Sequence, residues 1–240
     1  MEFTYSAYKD MINSIRHHDY AICGYHEYLK YDKCAILRHD VDFDLEKALR
    51  YARLENKLSV CSTYFILLTS DFYNIASAKN RNIINELLSS GHEIGLHFDE
   101  ASYAEDNDIP AFIEREIEIM SDILGYPIKT VSMHRPSRKA LECDFKLQGI
   151  VNAYSMTFFE EFKYLSDSRH CWREPVMEII ESSSYKKLHI LTHPFWYSEN
   201  RSSAKEVITE FVNSANAGRY ADINENIRDL AVFMKKENVK

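Results

Sequence analysis

The sequence predicts an α/β fold with one domain over residues 1–240, built around a mainly parallel sheet or barrel. Apolar runs rich in β-branched and aromatic residues alternate with helix-like segments, at spacings that suit crossover connections between parallel strands. The length of 240 residues fits an undivided barrel. No internal repeat, low-complexity tract or Pro/Gly-rich linker interrupts the chain, so we expect a single domain.

Helices are predicted where apolar side chains recur every three or four residues. They span residues 6–16, 44–57, 73–90, 110–124 and, with a break near Gly218, 204–236. Asp44 suits the N-cap of the second helix, and Pro110 and Gly125 suit the first turn and the end of the fourth.

Strands are predicted from short runs of β-forming residues. The first begins with the apolar run 34–37, and the others lie within residues 60–68, 91–100, 130–134, 151–159 and 188–192.

The composition disfavours several classes of protein. A formal net charge of −8 without a long basic run argues against a nucleic-acid partner. The five cysteines are odd in number and contain no Cys-x-x-Cys pair, which favours reduced thiols. The first residues do not resemble a signal peptide, and no apolar stretch is long enough to span a bilayer. We therefore expect a cytoplasmic protein with an intracellular substrate, while the oligomeric state is not indicated.

An aspartate pair ends the first predicted strand. Asp40 and Asp42 are two residues apart, so they share one side of a strand, with Val41 turned into the core. Two carboxylates held close repel each other unless a proton or a cation intervenes. A metal ion would leave one aspartate as ligand and the other as base. The alternative is that both aspartates cap the following helix.

Histidines end three later strands. His97 ends the third predicted strand, His134 ends the fourth beside Arg135, and His193 ends the last. A lone histidine at a strand end is more often structural than a ligand, but several at equivalent positions favour a site. The carboxyl ends of parallel barrel strands carry the active-site loops. Aspartate and histidine are also suitable ligands for zinc or a similar divalent ion.

Five short motifs occur in a characteristic order. They are His39-Asp40-Val41-Asp42, Gly91-His92-Glu93-Ile94-Gly95 with His97 after it, Arg135-Pro136, Asp167 with Trp172, and Leu191-Thr192-His193. From about Ala35 to Trp196 the chain resembles the NodB-homology polysaccharide deacetylases, carbohydrate esterase family 4. More narrowly, it resembles a WbmS-like branch associated with surface-polysaccharide gene clusters. The resemblance implies a distorted (β/α) barrel over a core of about residues 35–196, with N- and C-terminal helices packed on it.

The resemblance also implies roles for individual residues. Asp40 would be the catalytic base, Arg135 would orient it, and His193 would be the general acid. Asp167 and Trp172 are loose matches to the family motif that lines the substrate groove. Trp172 and Trp196 are expected either to line this groove or to pack in the core. A divalent ion, with zinc expected, would be held by Asp42 and His97.

One family ligand is absent from the sequence. The second metal-binding histidine of the family motif falls at Ala101. Its replacement is left open by the sequence, with His134 as the first candidate. The others are Asp99, Glu100, His193 or a water molecule.

The leading hypothesis is a metal-dependent hydrolase that removes an N-acetyl or related acyl group from a carbohydrate, a sugar precursor in surface-polysaccharide biosynthesis. The gap at Ala101 supports a second hypothesis, a catalytically impaired homologue that only binds sugar. A third is a hydrolase of another amide or ester on the same fold, because a fold does not determine a reaction.

Overall fold

The chain has two compact units in the computed structural model, Met1–Glu199 and Asn200–Lys240. The structure describes residues 1–103, 108–138 and 146–239. The first unit carries every residue that the sequence predicts for the site. A single domain over residues 1–240 stays a prediction.

Eight parallel strands within the described residues form one curled sheet in the first unit. They are β1 (Ala21–Cys23), β2 (Cys34–Val41), β3 (Thr63–Ile66), β4 (Glu93–Phe98), β5 (Thr130–Met133), β6 (Val151–Asn152), β7 (Lys163–Ser166) and β8 (Lys187–Thr192). The order is β6-β5-β4-β3-β2-β8-β7, and β1 pairs with the first half of β2 while β3 pairs with its second half. Within the described residues no ladder joins β6 to β7, so the sheet is a half-barrel. The predicted α/β fold, a distorted (β/α) barrel, is confirmed.

Strand β2 lies at the centre of this sheet. All eight of its residues are buried, as expected for a parallel strand covered on both faces. It pairs with β8 along Cys34–His39 and with β3 along Arg38–Val41. The polar residues near its carboxyl end are therefore enclosed by protein and must find partners there.

The described residues contain seven α-helices. They are α1 (Tyr5–His17), α2 (Leu45–Lys57), α3 (Ala78–Ser89), α4 (Ile109–Leu124), α5 (Met156–Glu160), α6 (Val176–Ser182) and α7 (Ala204–Asn226). Asp44 caps α2, because its side chain accepts hydrogen bonds from Glu46 N and Lys47 N. Gly125 ends α4 in the left-handed conformation, with φ of 62°. Both predicted helix boundaries are confirmed.

Parts of the predicted secondary structure are wrong. The third helix begins at Ala78 and not at residue 73, and the last helix ends at Asn226 and not at residue 236. The segment 151–159 is extended only over Val151–Asn152, and α5 follows it. Phe158 packs into the hydrophobic core there, and this packing overrides the preference of Thr and Phe for strands. Helix α7 runs through Gly218 without a break, since one glycine costs a helix only about 1 kcal/mol. Strands β1 and β7 were not predicted, because three or four residues carry too little periodicity.

Gly95 of β4 has a packing reason to be glycine. A Cβ atom there would lie 2.5 Å from Cε1 of Phe65 and 2.7 Å from Oγ1 of Thr130. Real side chains do not approach so closely, so any other residue would push β3 and β5 away from β4. This explains the last position of the Gly-His-Glu-Ile-Gly motif by local packing.

A buried carboxylate ties α1, α2 and the sheet together. Glu55 is fully buried and accepts hydrogen bonds from Tyr8 (2.5 Å), Ser62 (2.7 Å) and Tyr64 (2.8 Å). The ring of His39 in β2 approaches it at 3.1 Å. Burial by itself would raise the pKa of Glu55, but His39 and its other polar neighbours lower it to about 2. The carboxylate therefore stays ionised inside the protein.

Cys23, Cys34, Cys61 and Cys171 form no disulfide, and Cys143 lies outside the described residues. Across the parts of the chain that the structure describes, no helix combines the length and hydrophobicity needed to cross a membrane.

Candidate metal centre

Four strands bring polar side chains to one end of the sheet. Asp42 follows β2, His97 lies near the end of β4, His134 follows β5 and His193 follows β8. Because these strands are parallel, their carboxyl ends meet at the same edge. Strands β4 and β5 are neighbours, and His134 N continues their pairing by donating to Phe98 O at 2.8 Å.

Asp42, His97 and His134 converge on one point. Asp42 Oδ1 lies 3.2 Å from His97 Nε2 and 3.3 Å from His134 Nδ1, and the two ring nitrogens are 3.2 Å apart. His97 is buried, whereas the side chains of Asp42 and His134 keep 14% and 19% exposure. The three atoms therefore form a nearly equilateral triangle.

This triangle has the size and donor chemistry of a divalent-metal site. A triangle with sides of 3.2, 3.2 and 3.3 Å has a centre about 1.9 Å from each corner, close to the roughly 2.0–2.2 Å of zinc–nitrogen and zinc–oxygen bonds. Burial raises the pKa of Asp42, but His134 and His97 lower it to well below its usual range. The Oδ1 atom of Asp42 is buried, and no hydrogen bond of ordinary geometry reaches it from the described residues. A buried carboxylate oxygen in this situation favours a cation as its partner.

A histidine from a different strand is the candidate for the ligand that is missing at Ala101. His134 supplies the third corner of the triangle, from β5 rather than from the loop after β4. Asp99 and Glu100 are engaged elsewhere. Asp99 accepts a hydrogen bond from Ala101 N (3.2 Å), and Glu100 accepts two from Ser137, both at 2.8 Å.

Asp40 lies beside the triangle and is held by an arginine. Its Oδ2 is 3.6 Å from His97 Nε2. Arg38, fully buried, donates to Asp40 Oδ2 from Nη2 at 2.7 Å and to Oδ1 from Nε at 3.2 Å, and it also donates to Ser132. Burial raises the pKa of Asp40, but Arg38 and the nearby histidines lower it below its usual range. Sequence reasoning missed Arg38, although its position two residues before Asp40 places both on one side of the strand.

Arg135 does not hold Asp40, contrary to what the family resemblance implies. Its guanidinium pairs instead with Asp99, and the arginine side chain is 66% exposed. The reason is its location in the turn after β5, whereas Arg38 reaches Asp40 from inside the barrel along β2. Among the described residues, Arg38 is thus the arginine that contacts the Asp40 carboxylate.

His193 forms a pair with Asp167. His193 Nδ1 lies 2.6 Å from Asp167 Oδ1, and because a carboxylate only accepts, the ring donates. The other nitrogen, Nε2, lies 3.9 Å from Asp42 Oδ2. Burial lowers the pKa of His193, but Asp167 raises it, to about 9 as the net result. Asp167 is fully buried, so it holds a histidine rather than lining a groove as the resemblance implies.

The two tryptophans differ in their surroundings. Trp196 is only 9% exposed, with its ring 4.8 Å from Phe195 and 5.3 Å from His170, so it belongs to the core and not to a groove wall. Trp172 is half-buried beside Tyr197. Contact of Trp172 with a substrate stays a prediction.

The fold and the site together define a class of protein, a (β/α) half-barrel with a candidate Asp-His-His metal centre and an acid–base pair beside it. No protein-family profile matches the sequence, and no curated protein matches it.

Among solved structures, similar ones include a polysaccharide deacetylase from Bacillus cereus, with 13% identity and a TM-score of 0.46 over 78% of this chain and 88% of that one. A family 4 acetyl xylan esterase from Clostridium thermocellum, in complex with a cobalt ion, has 15% identity and a TM-score of 0.42 over 76% and 83%. A CE4 family pseudoenzyme from Bacillus anthracis has 13% identity and a TM-score of 0.43 over 76% of this chain. This chain spans 62% of the pseudoenzyme's length and 64% of a mutant with restored activity. The function is therefore argued from the site residues.

Proposed function

We propose that this protein is a metal-dependent hydrolase that removes an N-acetyl or related acyl group from a sugar. The observation that supports it best is the triangle of Asp42, His97 and His134. Asp40 Oδ2 lies 3.6 Å from His97 Nε2, and His193 Nε2 lies 3.9 Å from Asp42 Oδ2. The WbmS-like resemblance further suggests a precursor in surface-polysaccharide biosynthesis, and the cytoplasmic location remains part of the same proposal.

The metal would be held by Asp42, His97 and His134, whose oxygen and nitrogen donors suit zinc. When bound, a divalent ion would polarise the acyl carbonyl and lower the pKa of water in the site.

Asp40 is the proposed general base. Its lowered pKa keeps the carboxylate ionised at neutral pH, so it can accept the proton of the attacking water. Arg38 contacts both carboxylate oxygens, which restricts the orientation of Asp40. Since both residues are buried in β2, the base is positioned before any substrate arrives.

His193 is the proposed general acid. With a pKa of about 9 it carries a proton on each ring nitrogen at neutral pH. Nδ1 donates to Asp167, which leaves the proton on Nε2 for the departing amine. Asp167 thus orients the ring and stabilises its charged form.

The test combines metal content with acetate release. Purified protein is loaded with zinc, its metal is measured by elemental analysis, and N-acetylated sugar precursors are assayed for released acetate. Asp42→Ala should lose both metal and acetate release, whereas Asp40→Asn should keep the metal and lose the release. His26→Ala, an exposed histidine paired with Glu93 away from the triangle, is the matched control and should keep both.

Absence of bound metal together with absence of acetate release would contradict the proposal. Glycan binding that is unaffected by chelator and by Asp42→Ala would instead identify the sugar-binding homologue. Release of another acid from a different amide or ester would identify the related hydrolase.

A further inference from the structure

A pocket of about 430 Å³ opens near the carboxyl ends of β6 and β7. Aromatic rings, hydroxyl groups and two charged side chains line it, among them Tyr154, Phe159, Tyr164, Ser166, Ser168 and Arg173. The volume lies within the range of roughly 300–1,000 Å³ that is usual for small-molecule sites.

The pocket adjoins the candidate metal centre. Its lining residue Pro136 comes two residues after the candidate ligand His134. Ser166 immediately precedes Asp167, which holds the proposed general acid. The ring of Tyr154 lies 5.1 Å from the guanidinium carbon of the arginine that holds the proposed base. Three separate parts of the site thus border one pocket.

The walls of the pocket suit a sugar ring. The Phe159 ring lies 5.4 Å from the ring of Tyr154 and 5.4 Å from that of Tyr164, and Phe159 remains 40% exposed. Ser166 and Ser168 place their hydroxyl oxygens 2.7 Å apart at the same pocket. Aromatic faces can cover the apolar face of a sugar, while hydroxyl groups exchange hydrogen bonds with its substituents.

The pocket also carries an uncompensated positive charge. Its one lining carboxylate, Glu174, is paired with Lys163 at 2.6 Å. The neighbouring Arg173 is exposed, and no salt bridge or hydrogen bond involves it among the described residues. In a chain with a formal net charge of −8, an unpaired guanidinium at this place favours an anionic ligand.

We propose that this pocket binds the part of the substrate next to the reacting acetamido group, and that Arg173 recognises an anionic substituent there, a phosphate or a carboxylate. The inference rests on the proposed function, because the metal centre defines which group reacts. The substrate class is therefore an anionic N-acetylated sugar, with its ring against Phe159 and its charge on Arg173.

The experiment measures binding and acetate release separately. Zinc-loaded protein is titrated calorimetrically with N-acetylglucosamine 1-phosphate, N-acetylglucosaminuronic acid and neutral N-acetylglucosamine, and released acetate is quantified in the same samples. We expect at least one anionic sugar to bind about tenfold more tightly than the neutral one. Arg173→Gln should remove this preference. Arg169→Gln, a matched exposed arginine outside the pocket lining, should keep it.

A second variant tests the wall of the pocket. Phe159→Ala should weaken all three sugars by a similar factor, whereas Leu29→Ala, at 81% exposure and outside the pocket lining, should change none. Unchanged affinity of Phe159→Ala for the neutral sugar would overturn the contact with the ring.

The outcomes separate this inference from the proposed function. A phosphate preference and a carboxylate preference both support it and identify the anion. Equal affinity for neutral and anionic sugars, or a preference that survives Arg173→Gln, overturns it even if acetate is released. An anion preference without acetate release supports the pocket while contradicting the hydrolase.

Discussion

Replacement of Glu55 by glutamine should destabilise the protein in a pH-dependent way. The pKa of Glu55 is lowered from its ordinary value of 4.5 to about 2 by His39 and the other polar groups that oppose the cost of burial. Since a tenfold change in proton affinity corresponds to about 1.4 kcal/mol, this difference contributes about 3 kcal/mol to folding at neutral pH. A group with a lowered pKa stabilises the fold above its unfolded value, here 4.5, and this stabilisation is lost as the pH falls towards 2.

The assay is urea unfolding of the wild type and Glu55→Gln at a series of pH values from 7 to 3. The free energy of unfolding of the variant should be lower by about 3 kcal/mol at pH 7, and the difference should shrink below pH 4.5. Glu27→Gln is the matched control, because that carboxylate is exposed and its pairing with Lys30 contributes little. A difference between wild type and Glu55→Gln that stays constant from pH 7 to 3 would refute the role of the ionised carboxylate.

Three further predictions concern the metal centre and the sheet. His134→Ala should lower zinc affinity at least about 100-fold, measured by competition with a chromogenic chelator, while His26→Ala should not; equal affinity of the two variants would exclude His134 as a ligand. Arg38→Lys keeps the positive charge but loses the two-point contact with Asp40. Acetate release should therefore fall about tenfold while zinc affinity changes little. Parallel loss of acetate release and zinc affinity would argue for general misfolding. Gly95→Ala should destabilise the fold by about 1–3 kcal/mol in thermal or urea unfolding, and Gly24→Ala, which has open space around its Cβ, should not; similar values for both would contradict the packing explanation.

Much of the fold follows from local patterns in the chain. The apolar run at the start of β2 and the helical periodicity of α1, α2 and α4 identify those elements, and Asp44 and Gly125 mark helix ends through backbone chemistry that acts over a few residues. Local sequence patterns do not predict short elements such as β1 and α5. Their stability comes from the neighbours they pack against, as Phe158 does in the core.

The sequence by itself determined which residues could meet at the candidate site. Parallel strands place their carboxyl ends at one edge, so Asp42, His97, His134 and His193 are expected there from their positions alone. Motif order then suggests roles for them. Neither strand position nor motif order specifies the distances between side chains. The sequence therefore left open which group replaces the ligand missing at Ala101.

Only the tertiary structure decided how the polar groups are paired. It places His134 in a triangle with Asp42 and His97, assigns Arg38 rather than Arg135 to Asp40, and buries Asp167 behind His193. Each of these pairs except Arg38–Asp40 joins residues that are far apart in the chain. Their contacts depend on strand register and on the curl of the sheet, which are set by the packing of the whole barrel and not by any local stretch of sequence.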